Sequence, residues 1–341
     1  MLQVGLIGYG LWGKHHAHAI ANANGMTLAA IACASDQTAQ TAREDYPGTN
    51  VVKGYENLLA MPHIDAVSIV APNYQHTDMT IAALNAGKNV LLEKPMACSA
   101  VDCDRMIAAA QANERTISVV HQFRLSTQWG QLKQWIDDGE IGDPLYANVS
   151  LFRFPYRPGS GGWRYDQAKV GSWILEEPVH FYDTVMWYFE RFGDPVSVSA
   201  AGNSRTATNG LNENFSSILR WPNGAYATIT QTLSGFENHQ VFEVVGTEGS
   251  IRTWWSGVTD RTLHPMFEIK LKRKGSRACE TVTIGPSGEV YELAETYRRI
   301  GAAFANKTPL VSAQEARKRI IVCIEAERSL AEGKEVPLIF H

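Results

Sequence analysis

Over residues 1–122, short apolar runs alternate with stretches of helical period. The runs Gln3–Ile7, Leu28–Ala32, Ala66–Ala71, Asn89–Leu92 and Thr116–Val120 are nearly continuous in apolar residues. That is the pattern of strands buried on both faces of a parallel sheet. Between them, Lys14–Asn22, Asp36–Asp45, Asp78–Ala86 and Ala100–Asn113 carry helical spacing, and several end in turn residues such as Asn24-Gly25. The alternation predicts a doubly wound α/β domain over residues 1–122. From Leu145 onward the pattern changes. Leu145–Phe154, Val196–Ala201, Phe215–Arg220, Tyr226–Gln231, Gln240–Val245 and Ser250–Trp254 read as strands, and Trp221-Pro222-Asn223-Gly224 is a hairpin turn. Residues 123–341 are therefore expected to form an α+β domain with a largely antiparallel open sheet flanked by helices, ending in a long helix over Ala313–Glu332. Loops at Arg157–Gly162 and Gly202–Gly210 are expected to be mobile and to frame a site.

Composition adds exclusions. With 341 residues, 45% of them hydrophobic, the chain can bury a large core in two domains. A net charge of −4 argues against phosphate-backbone binding, so no nucleic-acid partner is expected. Apolar runs such as Val90-Leu91-Leu92 are too short to span a bilayer, and no signal peptide is visible, so a cytoplasmic protein without a membrane partner is expected. The five cysteines include no CxxC pair and read as reduced thiols. No metal is expected. His15, His16 and His18 read as surface and helix-end histidines, because no acidic or thiol partner lies near them in sequence.

The chemistry begins at Gly8-Tyr9-Gly10-Leu11-Trp12-Gly13, which follows the first strand and opens the first helix. Gly8 permits the tight turn, Gly10 lets the backbone approach a pyrophosphate, and Gly13 lets the helix pack on the strand. The helix N-terminus with Leu11 and Trp12 then faces phosphate. The acidic residue that usually binds a ribose 2′-hydroxyl is missing after the second strand, where Cys33-Ala34-Ser35 stands. Asp36 reads as the cap of the next helix. NAD and NADP both stay open, with a lean to NADP.

Ala71-Pro72-Asn73-Tyr74-Gln75-His76 and Glu93-Lys94-Pro95 follow two further strands. In the second half, Trp163-Arg164 precedes Gly171-Ser172-Trp173-Ile174-Leu175-Glu176-Glu177-Pro178-Val179-His180-Phe181-Tyr182-Asp183, and Gly246-Thr247-Glu248-Gly249 makes a later turn. With the glycine turn, this ordered set resembles the Gfo/Idh/MocA oxidoreductases, the family of glucose–fructose oxidoreductase and inositol dehydrogenase. The likeness covers nearly the whole chain. Glu176 stands where that family has Asp, Pro178 replaces a Gly, and Ser172 and Trp173 replace two of three glycines.

The resemblance implies an N-terminal Rossmann domain and a C-terminal domain for substrate binding and oligomerisation. The implied activity is that of an NAD(P)-dependent dehydrogenase or reductase acting on a secondary hydroxyl or ketone of a sugar, inositol or related polyol. Lys94, His180 and Glu176 become the catalytic candidates, with a cis bond implied before Pro95. The cofactor candidates are Gly8, Gly10, Leu11, Trp12, Gly13, Ala34, Ser35, Ala71, Pro72, Asn73, His76, Glu93 and Lys94. His121, Arg124, Arg153, Tyr156, Trp163, Arg164 and Trp173 are the substrate candidates. Glu176, His180 and Asp183 fall at i, i+4 and i+7, so one helix is expected to carry all three, with Glu176 at its start and Pro178 in its first turn. Phe242, Val244, Trp254 and Trp255 suggest sheet-to-sheet contact in a homo-oligomer, a dimer or tetramer. Two other readings remain: an NAD(P)-binding sensor without chemistry, and an enzyme that uses a transient hydride shift to cleave glycosides.

Overall fold

The computed structural model describes residues 1–205 and 210–341, so part of the loop expected over Gly202–Gly210 lies outside the described residues. Contacts divide the chain into two compact units. One comprises Met1–His121 with Leu293–Ile320, and the other Gln122–Glu292 with Ile321–His341.

The first unit contains β1 (Leu2–Ile7), α1 (Leu11–Asn22), β2 (Met26–Cys33), α2 (Asp36–Asp45), β3 (Asn50–Lys53) and α3 (Tyr55–Leu59). It continues with β4 (Ala66–Ile69), α4 (His76–Asn85), β5 (Asn89–Leu92), α5 (Ala100–Ala112) and β6 (Ile117–Val119). All paired strands are parallel, in the order β3-β2-β1-β4-β5-β6. The central runs are legible because they are buried throughout: β4 has no exposed position. The sequence reading missed β3 and α3. β3 is an edge strand with Asn50 and Lys53 exposed at its ends, so it lacks an apolar run.

The continuous boundary expected at 122/123 needs one correction. Leu293–Ile320 returns to the first unit, because Leu293, Tyr297, Ile300 and Phe304 join the core of Leu6, Ile20 and Ile31. A chain reading locates amphipathic helices, but not which of two cores an apolar face will choose.

The second unit opens with α6 (Thr127–Asp137), β7 (Pro144–Phe152), α7 (Gln167–Val170), α8 (Trp173–Glu176) and α9 (Pro178–Tyr188). There follow β8 (Ser197–Asn203), β9 (Asn214–Arg220), β10 (Tyr226–Thr232), β11 (Asn238–Gly246), β12 (Gly249–Gly257), β13 (Met266–Arg273) and β14 (Glu280–Val282). The chain ends with α10 (Glu289–Ala305), α11 (Ala313–Glu332) and β15 (Val336–Pro337). The nine strands run β14-β13-β12-β11-β7-β10-β9-β8-β15. Among the described residues, only the β7–β10 pair is parallel. The Trp221–Gly224 turn joins β9 to β10 as an antiparallel hairpin.

Period-2 alternation decides which face of this sheet is covered. Phe242, Val244 and Trp255 point inward and are buried, with Phe242 against Trp129 of α6 and Phe181 of α9 at centroid distances of 4.4 and 5.9 Å. Three of the four residues expected at a subunit contact therefore belong to the core of their own unit. The opposite face carries His239, Val241, Glu243, Arg252 and Trp254.

Candidate active site

In the first unit the chain order turns around between β1 and β4, and the crevice at such a switch point is where doubly wound folds bind ligands. The glycine turn follows β1, Ala71-Pro72-Asn73 follows β4 and Glu93-Lys94 follows β5, so the carboxyl ends of these strands bring the cofactor candidates together. Gly8 has φ +101°, and a Cβ there would overlap the Val70 carbonyl oxygen. A Cβ on Gly13 would strike the Gly8 carbonyl, whereas one on Gly10 would meet nothing within 4 Å. Gly10 caps α1 without a side-chain hydrogen bond. Tight packing at Gly8 and Gly13, with clear space before a helix N-terminus at Gly10, fits a dinucleotide pyrophosphate.

The end of β2 differs from expectation. Ser35, not Asp36, caps α2, exchanging hydrogen bonds with Thr38 in a capping box. Asp36 lies in the first turn, where its carboxylate pairs with Lys53 at 3.0 Å. Ala34 adjoins it without a polar side chain.

The loops after β4 and β5 are tied by His76. Its Nδ1 lies 2.7 Å from the Pro95 carbonyl and its Nε2 2.9 Å from that of Ala71. Asn73 is buried in the 3-10 turn between β4 and α4. The Lys94–Pro95 peptide is cis. Lys94 is half-buried, and its backbone N–H donates to Glu93 Oε2 at 3.2 Å. Glu93 Oε1 accepts from Trp12 Nε1 at 3.0 Å and faces His16 Nε2 at 2.9 Å. Burial alone would push the Glu93 carboxyl up. The hydrogen bond and charge of His16, with Lys94 and Trp12, outweigh it and hold the group below its ordinary value. His16 is thus fully buried beside an acid, and the surface-histidine expectation is wrong for it. Its partner lies 77 residues away in sequence, beyond any local pattern.

In the second unit Pro178 does open α9 at its first position, but Glu176 is not on that helix. Glu176 ends α8, and Glu177, at φ −131° and ψ −50°, breaks the path between them. The i, i+4, i+7 face therefore holds only for His180 and Asp183. Glu176 accepts from Arg164 Nε at 2.5 Å. His180 is buried and stacks on Phe123 with ring centroids 5.0 Å apart. Asp183 takes Arg124 in a two-pronged grip, 2.8 Å to Nε and 2.6 Å to Nη2.

Arg153 donates to Glu177 Oε2 at 3.0 Å, lies 3.4 Å from Asp260 and covers the Tyr156 ring at 4.6 Å. Tyr156, Trp163 and Trp173 are core members of one buried cluster, and Trp173 Nε1 donates to the Arg164 carbonyl at 2.9 Å. His121, at the end of the first unit's opening stretch, is also buried. Glu177 and Asp260 were missed among the site candidates. Glu177 adjoins a motif residue, but Asp260 has no sequence signal.

Farther along the second unit, burial pushes the Glu292 carboxyl up to about 7, against hydrogen bonds from Ser126, Gly288 N–H and Ser287. Its folded proton affinity exceeds the unfolded one. The stability contribution is full below about pH 4 and lost as pH rises through about 7, a change of about 3 kcal/mol. Glu292→Gln is expected to flatten the fall in melting temperature between about pH 5 and 8. An unchanged slope would rule Glu292 out as its source.

Residues 2–121 match the family described as "Oxidoreductase family, NAD-binding Rossmann fold", and residues 129–252 match the "GFO/IDH/MocA C-terminal domain". The chain is 32% identical over 189 residues to an inositol 2-dehydrogenase of Salmonella paratyphi B, a stretch covering 54% of each chain, so it spans about half of that relative. It is 30% identical over 236 residues to the 1,5-anhydro-D-fructose reductase of Ensifer adhaerens, covering 68% of this chain and 69% of the other. In fold it is similar to a levoglucosan dehydrogenase in complex with NADH and levoglucosan, at TM-score 0.85, 22% identity and 99% coverage of both chains.

Proposed function

The chain belongs to the GFO/IDH/MocA oxidoreductase family, and on that premise we propose that it transfers a hydride between NAD(P) and a secondary hydroxyl or ketone of a sugar, inositol or related polyol. The observation that carries this reading is the position of Lys94 at the carboxyl end of β5, in the same unit and beside the same switch point as the glycine turn. A bound nicotinamide supplies the hydride chemistry. Gly8, Gly10 and Gly13 admit the pyrophosphate, with Ala71, Pro72 and Asn73 beside them.

Lys94 holds the substrate hydroxyl and takes its proton as the carbon is oxidised, and His180 is the second unit's own candidate for the same role. A half-buried amine and a buried imidazole can each give the proton back in the reverse direction. Glu176, held by Arg164, is a further proton-holding group of the second unit. Arg153, with Glu177 and Asp260, supplies donors and acceptors for further hydroxyls. The names of the relatives, an inositol dehydrogenase and a reductase of an anhydro-sugar, support this substrate class. The lack of an acid at Cys33-Ala34-Ser35 favours NADP over NAD.

The test is a panel of inositols, aldoses, anhydro-sugars and their ketones, each run with NAD(H) and NADP(H). Net change at 340 nm with at least one polyol is expected. Cofactor binding without any turnover would turn the reading toward a sensor. Glycoside cleavage without net reduction would turn it toward a hydride shuttle. We further propose a homo-oligomer formed through the sheet face of His239, Val241, Arg252 and Trp254. Light scattering on the same preparation should then give a multiple of 37.7 kDa, and a monomer mass would end that proposal.

A further inference from the structure

We propose that Tyr297, His16 and Glu93 form a buried relay that positions Lys94 for proton transfer, with His16 as the positioning residue at its centre. The inference rests on the reading of Lys94 above and extends it to residues that reading does not use.

The relay is continuous. Tyr297 of α10 places its hydroxyl 2.7 Å from His16 Nδ1, and the same hydroxyl donates to Ser68 Oγ of β4 at 2.7 Å. Across the ring, His16 Nε2 lies 2.9 Å from Glu93 Oε1. The other carboxylate oxygen, Oε2, accepts the Lys94 backbone N–H. The side chains of Tyr297, Ser68, His16 and Glu93 are all buried to at least nine-tenths. A carboxylate oxygen only accepts, so Nε2 carries a proton; the Tyr297 hydroxyl gives its own proton to Ser68, so it accepts from the ring at Nδ1. Tyr297 thereby fixes the ring, and the ring fixes the carboxylate.

Two consequences for Lys94 follow from ordinary electrostatics. The carboxylate anchors the backbone at the residue that must aim its amine within a few tenths of an ångström. Its negative charge also lies beside the Lys94 ammonium, and the two charges interact. Without the His16 donor, a buried carboxylate would take up a proton and lose that charge.

The variants are Glu93→Gln, His16→Leu, His16→Gln and the milder Tyr297→Phe, each first checked for cooperative melting and for NADH and NADPH binding by fluorescence. The activity-independent readout is acetylation of Lys94 by acetic anhydride against pH, measured by mass spectrometry with the exposed Lys274 as internal reference. Glu93→Gln and His16→Leu should move the Lys94 labelling midpoint to lower pH and leave Lys274 unmoved. His16→Gln, which restores an N–H toward Glu93, should return most of the shift. In turnover, Tyr297→Phe and His16→Leu should lower kcat by about tenfold with KM for cofactor little changed, and should move the basic limb of the pH–rate profile downward.

A Lys94 labelling curve unmoved in Glu93→Gln and His16→Leu overturns the relay, even if Lys94→Ala abolishes turnover. A shifted curve in a protein that turns over no polyol upholds the relay and removes the proposed reaction instead. Tyr297→Phe, which deletes a single oxygen, keeps the test open should His16→Leu fail to fold.

Discussion

Replacing Lys94 with alanine is expected to lower kcat by about a hundred- to ten-thousand-fold while leaving cofactor affinity within about twofold. The size follows from what a positioned acid or base contributes at the transition state. A substrate hydroxyl is a poor proton donor to water, and loss of a hydride from its carbon without loss of the proton leaves an unstable cation. An amine aimed from the end of β5 removes that difficulty as the charge develops. The cofactor cradle should survive, because it is built from Gly8, Gly10, Gly13 and the backbone of Ala71-Pro72, which strand ends and tight turns place. Lys94 is half-buried, so truncation leaves no large cavity. Stopped-flow turnover and NADH or NADPH titration of the same preparation give both quantities. A kcat within about threefold of the parent would take Lys94 out of the mechanism.

Asp183→Ala should be among the most destabilising single changes in the second unit, by about 3–5 kcal/mol. Asp183 is fully buried on α9, and the Arg124 side chain that it grips is 11% exposed. Truncation removes an anion that holds that guanidinium at two nitrogens, and it leaves the charge poorly hydrated. The pair also joins α9, which carries His180, to the short turn that carries Phe123, whose ring stacks on that histidine. Activity should therefore fall with stability. Denaturant unfolding of Asp183→Ala and of Asp183→Leu with Arg124→Met separates the terms, since the double replacement should recover much of the loss. A loss below about 1 kcal/mol in the single variant would mean that the pair contributes little to folding.

Arg124 shows what a residue type leaves open. As a cation near a predicted pocket it reads as a hydroxyl binder, yet both prongs of its fork are already engaged by Asp183. Trp163 and Trp173 read as faces on which a sugar could stack, and in the fold they are packed with Tyr156, Val170, Leu211 and Leu233. Type and spacing identify which side chains are polar or flat. They do not say whether a partner inside the protein reaches them first.

By itself the sequence determined the parallel strand–helix core, most strands of the second sheet and the ordered motifs Gly8–Gly13, Ala71–His76, Glu93–Pro95 and Glu176–His180. Each is written in neighbouring residues: a buried run, a period of two, or a short turn with its own backbone demands. The tertiary structure alone decided that Leu293–Ile320 packs with the first unit, that Phe242 and Trp255 turn inward, that Glu177 separates Glu176 from the helix of His180, and that His16 meets Glu93 and Tyr297. Those outcomes depend on competition between distant surfaces for burial and between distant donors for one acceptor, and no local pattern along the chain encodes the winner.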